Sequence, residues 1–236
     1  MTPEEIDKIL AKAANRAASP DADRAAIERV QGEILKDLRP VRPIAPTRAF
    51  TLALVGLFAA FAVASASALG MHGIRVLSNS QRALIFTILL ATAWLAASAC
   101  AREMRPASGL RLGLTALVLS VAVFPVLFSQ IFQNYSADRF VSEGIPCLEA
   151  GLCVAIPTFL AIVWIFRRGF VLDWSEAGIA AGTLSGLAGL AMLELHCPNL
   201  KALHVMVWHV AVVMVSGALG FAIGRAADSF RRREAL

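Results

Sequence analysis

The sequence predicts an all-α protein that crosses a membrane six times and carries a short helical segment before the first span. Hydrophobic residues make up 58% of the 236 residues, only 17% are charged, and the mean hydropathy is +0.67. A soluble domain of this size carries more charge and fewer long apolar runs. The charges are also uneven, since 17 of the 39 Lys, Arg, Asp and Glu residues lie within residues 1–48.

Six apolar runs have about the length that crosses a hydrocarbon core of about 30 Å. The second and fifth are short, and Pro125 and Pro157 are expected to kink the third and fourth. The first run begins only after a polar stretch, which is atypical of a cleaved signal peptide, so we expect it to remain as an anchor. The predicted spans are residues 50–70, 83–100, 112–132, 148–166, 177–195 and 203–224.

Lys and Arg residues near the span ends predict the orientation. Thirteen lie on one side of the predicted spans and four on the other. We therefore expect a multi-pass membrane protein with both termini in the cytoplasm. This bias accounts for the pI of 9.4 and gives no indication of direct nucleic-acid binding. The thirteen are Lys36, Arg39, Arg42, Arg48, Arg102, Arg105, Arg111, Arg167, Arg168, Arg225, Arg231, Arg232 and Arg233, and the four are Arg75, Arg82, Arg139 and Lys201.

The chain is predicted to divide into a cytoplasmic helical segment at residues 1–48, a six-helix membrane domain at 49–225 and a basic cytoplasmic tail at 226–236. The first segment has two helix-start patterns, each followed by one narrow apolar stripe. Such short helices are unstable alone. They could lie on the bilayer or fold back on the cytoplasmic loops, but their balanced charge favours a protein partner. The predicted partner-binding residues are Ile6, Ile9, Leu10, Ile27, Val30, Ile34 and Leu38.

The fifth and sixth spans carry small residues four positions apart, a pattern that lets two helices approach closely. Only about seven residues join these two spans, so we expect them to pack as an antiparallel pair. This pattern indicates packing and says little about chemistry. The residues expected at this contact are Gly178, Gly182, Gly186, Gly220 and Gly224.

Polar residues concentrate where the fifth and sixth spans meet, on the predicted outer side. An ionisable group at membrane depth is a functional candidate. The simplest interpretation is a hydrogen bond between Glu194 and His209 across the hairpin, with Trp208 as an interfacial anchor. The cluster comprises Glu194, His196, Cys197, His204, Trp208 and His209, and Cys147 lies at the outer end of the fourth span.

Three chemistries could use this cluster. A disulfide or reversible dithiol between Cys147 and Cys197 is favoured, because exposed thiols are oxidised in an oxidising compartment. A heavy-metal ion could bind the two cysteines with Glu194, His196 or His204, although no CxxC or HxxxH spacing is present. Catalysis by Cys197 with a histidine base is least favoured, since no nucleophile motif surrounds it.

The six spans, the pair Arg168-Gly169, the glycine row of the fifth span, Cys197-Pro198 and Trp208-His209 resemble the negative-regulator-of-sigma-F family. The resemblance covers about residues 50–224. It implies a membrane-bound anti-sigma factor, without enzymatic activity or a cofactor, that holds an extracytoplasmic-function sigma factor.

The same resemblance implies that oxidants or heavy metals acting on the outer pair Cys147 and Cys197 release the sigma factor. The competing interpretation is a small six-span transporter or channel. Against it, the first three spans contain almost no polar residues near mid-membrane, where a transport pathway needs them.

Overall fold

The computed structural model describes residues 4–8, 20–37, 46–105 and 112–234. The secondary structure of these residues is helical, with no β-strand among them. Six helices are long and apolar enough to cross a membrane, which confirms the predicted fold class. The chain separates into two compact units, Met1–Pro43 and Ile44–Leu236, and each is described by itself.

The second unit contains the six membrane helices. The helices are α2 (Thr47–Leu69), α3 (Asn79–Glu103), α4 (Leu112–Ile131), α5 (Phe140–Phe166), α6 (Trp174–His196) and α7, which runs through Ala202–His204, a π-helical turn at Val205–His209, and Val210–Glu234. A single helical turn, Gly73–Val76, lies between α2 and α3. The connections at residues 70–78, 132–139 and 197–201 meet at one end of the bundle, here called the cysteine end, and the opposite end is called the arginine end.

Several helices extend beyond the predicted spans. α3 begins at Asn79 because Ser78 and Gln81 form a capping box, in which each side chain accepts a hydrogen bond from the other residue's backbone N–H. α5 begins at Phe140, eight residues before the predicted span, because polar residues such as Glu143 face the connections at the cysteine end. α7 continues to Glu234, so the predicted tail boundary at residue 225 is not a helix end.

α6 is the central helix of the bundle and contacts α2, α3, α4, α5 and α7. Every residue from 176 to 195 is buried. α6 therefore shows no single apolar stripe, and its sequence is apolar or small all round, as expected of a helix enclosed by other helices.

Glycines set the distance between α6 and α7. A methyl group added at Gly178 would meet the carbonyl oxygen of Gly220, and one at Gly186 would lie 2.7 Å from the Cα of Val213. One added at Gly224 would meet the carbonyl oxygen of Trp174. The two backbones are thus in direct contact, which only residues without a Cβ permit.

The first unit contains helix α1, Pro20–Asp37. Among its predicted partner-binding residues, Ile27 and Val30 are 57% and 58% exposed, and Ile6 in the helical residues 4–8 is 41% exposed. Ile34 lies within α1, but its side chain is outside the described part. Ile9, Leu10 and Leu38 lie outside the described residues.

We expect Gly182→Ala to lower the free energy of unfolding by about 2 kcal/mol, because its new Cβ would meet the backbone of Ser216 and Gly217. Gly56→Ala is the matched control, since nothing lies within 4 Å of the added atom. Unfolding of the two purified variants in detergent, followed by circular dichroism, measures the difference. Equal effects at both positions would contradict the close contact of α6 with α7.

Candidate functional site

Two thiols meet at the cysteine end. Cys147 lies in the second turn of α5, and Cys197 follows the last residue of α6. Their Sγ atoms are 3.7 Å apart, and both cysteines are free thiols. Cys197 is buried and Cys147 is half-buried, so the pair lies just beneath the surface of the bundle.

Two histidines of α7 face this pair. His204 Nε2 is 3.7 Å from Cys197 Sγ, and the rings of His204 and His209 pack edge to face with centroids 5.3 Å apart. The π-helical turn Val205–His209 explains why residues five apart share one face, since its hydrogen bonds run from residue i to i+5. Donor atoms from Cys147, Cys197, His204 and His209 all lie within 4.8 Å of one another.

Glu194 and His209 form a buried pair across the α6–α7 hairpin. The His209 Nδ1 atom is 2.7 Å from Glu194 Oε1, and their side chains are 1% and 3% exposed. The hydrogen bond considered in the sequence analysis is therefore present. His209 Nε2 and His204 Nδ1 are buried, and neither has a hydrogen-bond partner among the described residues.

The loop that carries Cys197 is held against the start of α5. Asn199 Nδ2 donates a hydrogen bond of 2.8 Å to Glu143 Oε2, and Lys201 Nζ lies 3.6 Å from the same oxygen. Lys201 also donates to the carbonyl oxygen of Asp138. Because Glu143 precedes Cys147 by one helical turn, these bonds fix the two cysteines relative to each other.

Two residues of the predicted outer cluster have other surroundings. His196 Nδ1 is 2.7 Å from the carbonyl oxygen of Gly70, and the ring of His196 lies near that of His72. The ring of Trp208 packs against Phe140 at a centroid distance of 5.4 Å. The structure therefore places neither His196 nor Trp208 with the four donors around the cysteines, and it places Glu194 behind His209 instead of among them.

The environment of Cys197 favours its thiol form. The contact with Cys147 and burial raise the pKa of the Cys197 thiol, while the nearby rings of His204 and His209 oppose this rise. The arrangement can join the two sulfurs by oxidation or place a soft cation among two sulfurs and two nitrogens.

Sequence reasoning placed His209 in the outer cluster but not among the metal ligands, and it missed Glu143 and Asn199. His209 was not included among the possible ligands because five-residue spacing does not align side chains on an α-helix, and nothing in residues 205–209 marks a π turn. Glu143 and Asn199 were missed because they are far apart in sequence. The signal that could have found Glu143 and Asn199 is that they lie in the same two predicted outer loops as Cys147 and Cys197.

Comparison with curated proteins and with solved structures gives no match. The sequence profile described as "negative regulator of sigma F" matches residues 35–227. The match includes α2 to α6, α7 as far as residue 227, and every residue of the site described above, and it leaves out most of the N-terminal unit. The chain therefore belongs to the negative regulator of sigma F family, a family whose description implies a sigma factor as partner.

Proposed function

We propose that this chain is an anti-sigma factor of the bacterial inner membrane that holds an extracytoplasmic-function sigma factor at the cytoplasmic face. An oxidative or heavy-metal signal at Cys147 and Cys197 releases the sigma factor. The observation that carries the sensing step is the 3.7 Å contact between these two thiols at the end of the bundle opposite to the arginine-rich connections. By the positive-inside rule, that end faces outward and both termini lie in the cytoplasm.

The exposed stripe of α1 supports a role in partner binding. Ile27 and Val30 lie three positions apart on one helical face and are each more than half exposed. Isolated apolar side chains on a short helix bury little surface, so such a stripe gains stability from a partner that covers it. The opposite face carries charged residues such as Arg29 and remains compatible with water.

Oxidation of the thiol pair is chemically complete with a hydroperoxide as the oxidant. The sulfur of one cysteine attacks the peroxide oxygen, which gives a sulfenic acid and releases water or an alcohol. The second sulfur displaces the sulfenic oxygen as water, and the S–S bond forms. Two thiols lose two electrons and two protons in all, and the peroxide takes up both. To reach a bond length of about 2.05 Å, the sulfurs of Cys147 and Cys197 must approach by about 1.7 Å.

Such an approach moves α5 relative to α6, because the two cysteines lie on these two helices. α5 packs on α6 at Gly151, whose carbonyl oxygen faces Gly189. At the arginine end, α5 leads into residues 167–173, where Phe170 N–H donates to the carbonyl oxygen of Met104 after α3. A shift of α5 therefore reaches the connections that face the cytoplasm in the proposed orientation.

Buried ionisable groups give the transporter interpretation no support. Within the described residues, the buried carboxylates and histidines lie at the two ends of the bundle: Glu194, His204 and His209 at the cysteine end, Glu103 and Glu176 at the arginine end. A proton or ion pathway built from ionisable side chains needs such groups between these ends as well.

We expect the double variant Cys147→Ser, Cys197→Ser to lose the response to hydroperoxide, because no disulfide can form. The ratio of induced to uninduced transcription from a promoter that needs the partner sigma factor should fall to about one. Cys153→Ser, on the exposed face of α5, is the matched control and should respond like the native chain. A normal response of the double variant to both hydroperoxide and cadmium would refute sensing at this pair.

We expect Ile27→Asp together with Val30→Asp to weaken sigma-factor binding by about 2 kcal/mol, because two charges replace apolar contacts at an interface. Arg29→Glu is the control, since it changes the net charge by the same two units on the opposite face. Co-purification of the sigma factor with the full-length chain from membranes measures binding. If the control reduced binding as much as the stripe variant, the apolar stripe would not be the contact surface.

A further inference from the structure

We infer that Cys147, Cys197, His204 and His209 form a four-coordinate site for a zinc-class divalent cation, Zn²⁺ or Cd²⁺, with Glu194 orienting His209. This inference deepens the proposed function and rests on it only for the biological consequence of binding. With two sulfurs and two nitrogens from the protein, the site would be closed, as in structural and sensing zinc sites that leave no position open for a substrate.

The distances between donors match those around one tetrahedral ion. Zinc lies about 2.3 Å from a thiolate sulfur and about 2.0 Å from an imidazole nitrogen, which places two sulfurs about 3.8 Å apart and sulfur and nitrogen about 3.6 Å apart. The sulfurs of Cys147 and Cys197 are 3.7 Å apart, and the sulfur of Cys197 is 3.7 Å from His204 Nε2. The largest donor separation is within 4.8 Å, so shifts of about 1 Å close the site.

The two histidines present ring nitrogens that a metal would bind. His209 is 1% exposed and its Nε2 has no hydrogen-bond partner among the described residues. A buried polar atom without a partner is unfavourable, and a bound metal ion satisfies it. His204 is 2% exposed and presents Nε2 toward Cys197, where it makes only a long contact to sulfur.

Glu194 is placed to orient the ligand His209 through a hydrogen bond, as carboxylates do in many metal sites. Ligand histidines commonly donate their other ring N–H to a carboxylate, which fixes the tautomer and turns the donor nitrogen toward the metal. His209 Nδ1 meets Glu194 Oε1 at 2.7 Å, so His209 Nε2 is the nitrogen left for a cation. The carboxylate and the ligand come from α6 and α7, whose backbones touch along the glycine row, so the pair is held rigidly.

The charge of the ligands also favours a divalent ion at this buried site. Each thiol loses its proton as it binds, so the two thiolates of Cys147 and Cys197 neutralise the ion. A neutral group is far less costly to bury than an isolated charge. Metal binding and disulfide formation use the same two sulfurs, so each excludes the other. The observed separation of 3.7 Å suits the metal-bound state without the approach of about 1.7 Å that a disulfide needs.

The first test uses the full-length chain, purified in detergent, reduced and freed of metal. Co²⁺, which takes the place of Zn²⁺, should bind one ion per chain and give the strong visible bands of tetrahedral cobalt with sulfur ligands. Zn²⁺ should then displace it. Bound Zn²⁺ should protect Cys147 and Cys197 from alkylation, while both thiols stay reactive in the metal-free chain. Absence of protection, or a weak octahedral spectrum, would overturn the inference.

Variants test which histidines are ligands. His204→Ala and His209→Ala should weaken Zn²⁺ binding about 100-fold or more, and Glu194→Gln about 10- to 100-fold. His196→Ala is the matched control, because the ring of His196 is hydrogen-bonded to the carbonyl oxygen of Gly70. Its removal should leave Zn²⁺ binding unchanged. His204→Cys should retain tetrahedral binding, since three thiolates and one imidazole also hold zinc. Equal losses in His196→Ala and His204→Ala, or none in either, would overturn the proposed ligand set.

These measurements contain no sigma factor, so they separate the two proposals. If Zn²⁺ binds as described but Zn²⁺ and Cd²⁺ leave sigma-factor release unchanged in cells, the metal site stands and release by metal ions fails. If the double cysteine variant loses its response to hydroperoxide but the native chain binds no Zn²⁺, the redox switch stands and the metal site fails.

Discussion

The rest of the structure depends on the complete enclosure of α6. Five other helices contact it, and residues 176–195 are all buried. A helix can be surrounded in this way only if its own side chains are small where neighbours approach most closely, and glycine meets that need where backbones touch. The glycines of α6 therefore do more than let α7 approach. Gly189 also lies in close contact with the carbonyl oxygen of Gly151 on α5. Because α6 is held from every side, the residues at its end, Glu194 and Cys197, have a fixed position.

Hydrogen bonds also hold α7 against α6 at both ends of the glycine-lined contact. At the cysteine end this is the hydrogen bond between Glu194 and His209. At the arginine end, Asp228 accepts hydrogen bonds from the backbone N–H groups of Trp174 and Ser175 at the start of α6. A pair fixed at both ends and in contact between them moves as one body. The other cysteine lies on α5, so a change in the distance between Cys147 and Cys197 is a movement of α5 against this body.

The sequence predicted the parts of this arrangement that follow from composition and local pattern. The number of spans follows from apolar length. Cys147 was the expected counterpart of Cys197, and the two sulfurs lie 3.7 Å apart. The predicted span ends were less accurate where a helix continues into polar residues, as at the start of α5. A span predicted from hydropathy ends at the first charged residues, whereas the helix itself extends beyond them. His196 was placed with the cluster because it is adjacent to Cys197 in sequence. The helical geometry at the end of α6 turns its ring toward Gly70 instead.

The position of His209 depends on a π-helical turn that no sequence pattern predicted. Along an α-helix, residues five apart point in directions that differ by about 140°, so His204 and His209 would face different neighbours. The π turn at Val205–His209 aligns them, and π turns are rare because their hydrogen-bond geometry is less favourable than that of an α-helix. A rare turn persists where other contacts over-determine it. Here those contacts are the Glu194 carboxylate, which holds the ring of His209, and the Asn199–Glu143 bond, which anchors the loop just before α7. The unfavourable turn and the unsatisfied nitrogen of His209 therefore support the same conclusion. This end of the bundle is arranged to bind the proposed divalent cation between two cysteines and two histidines.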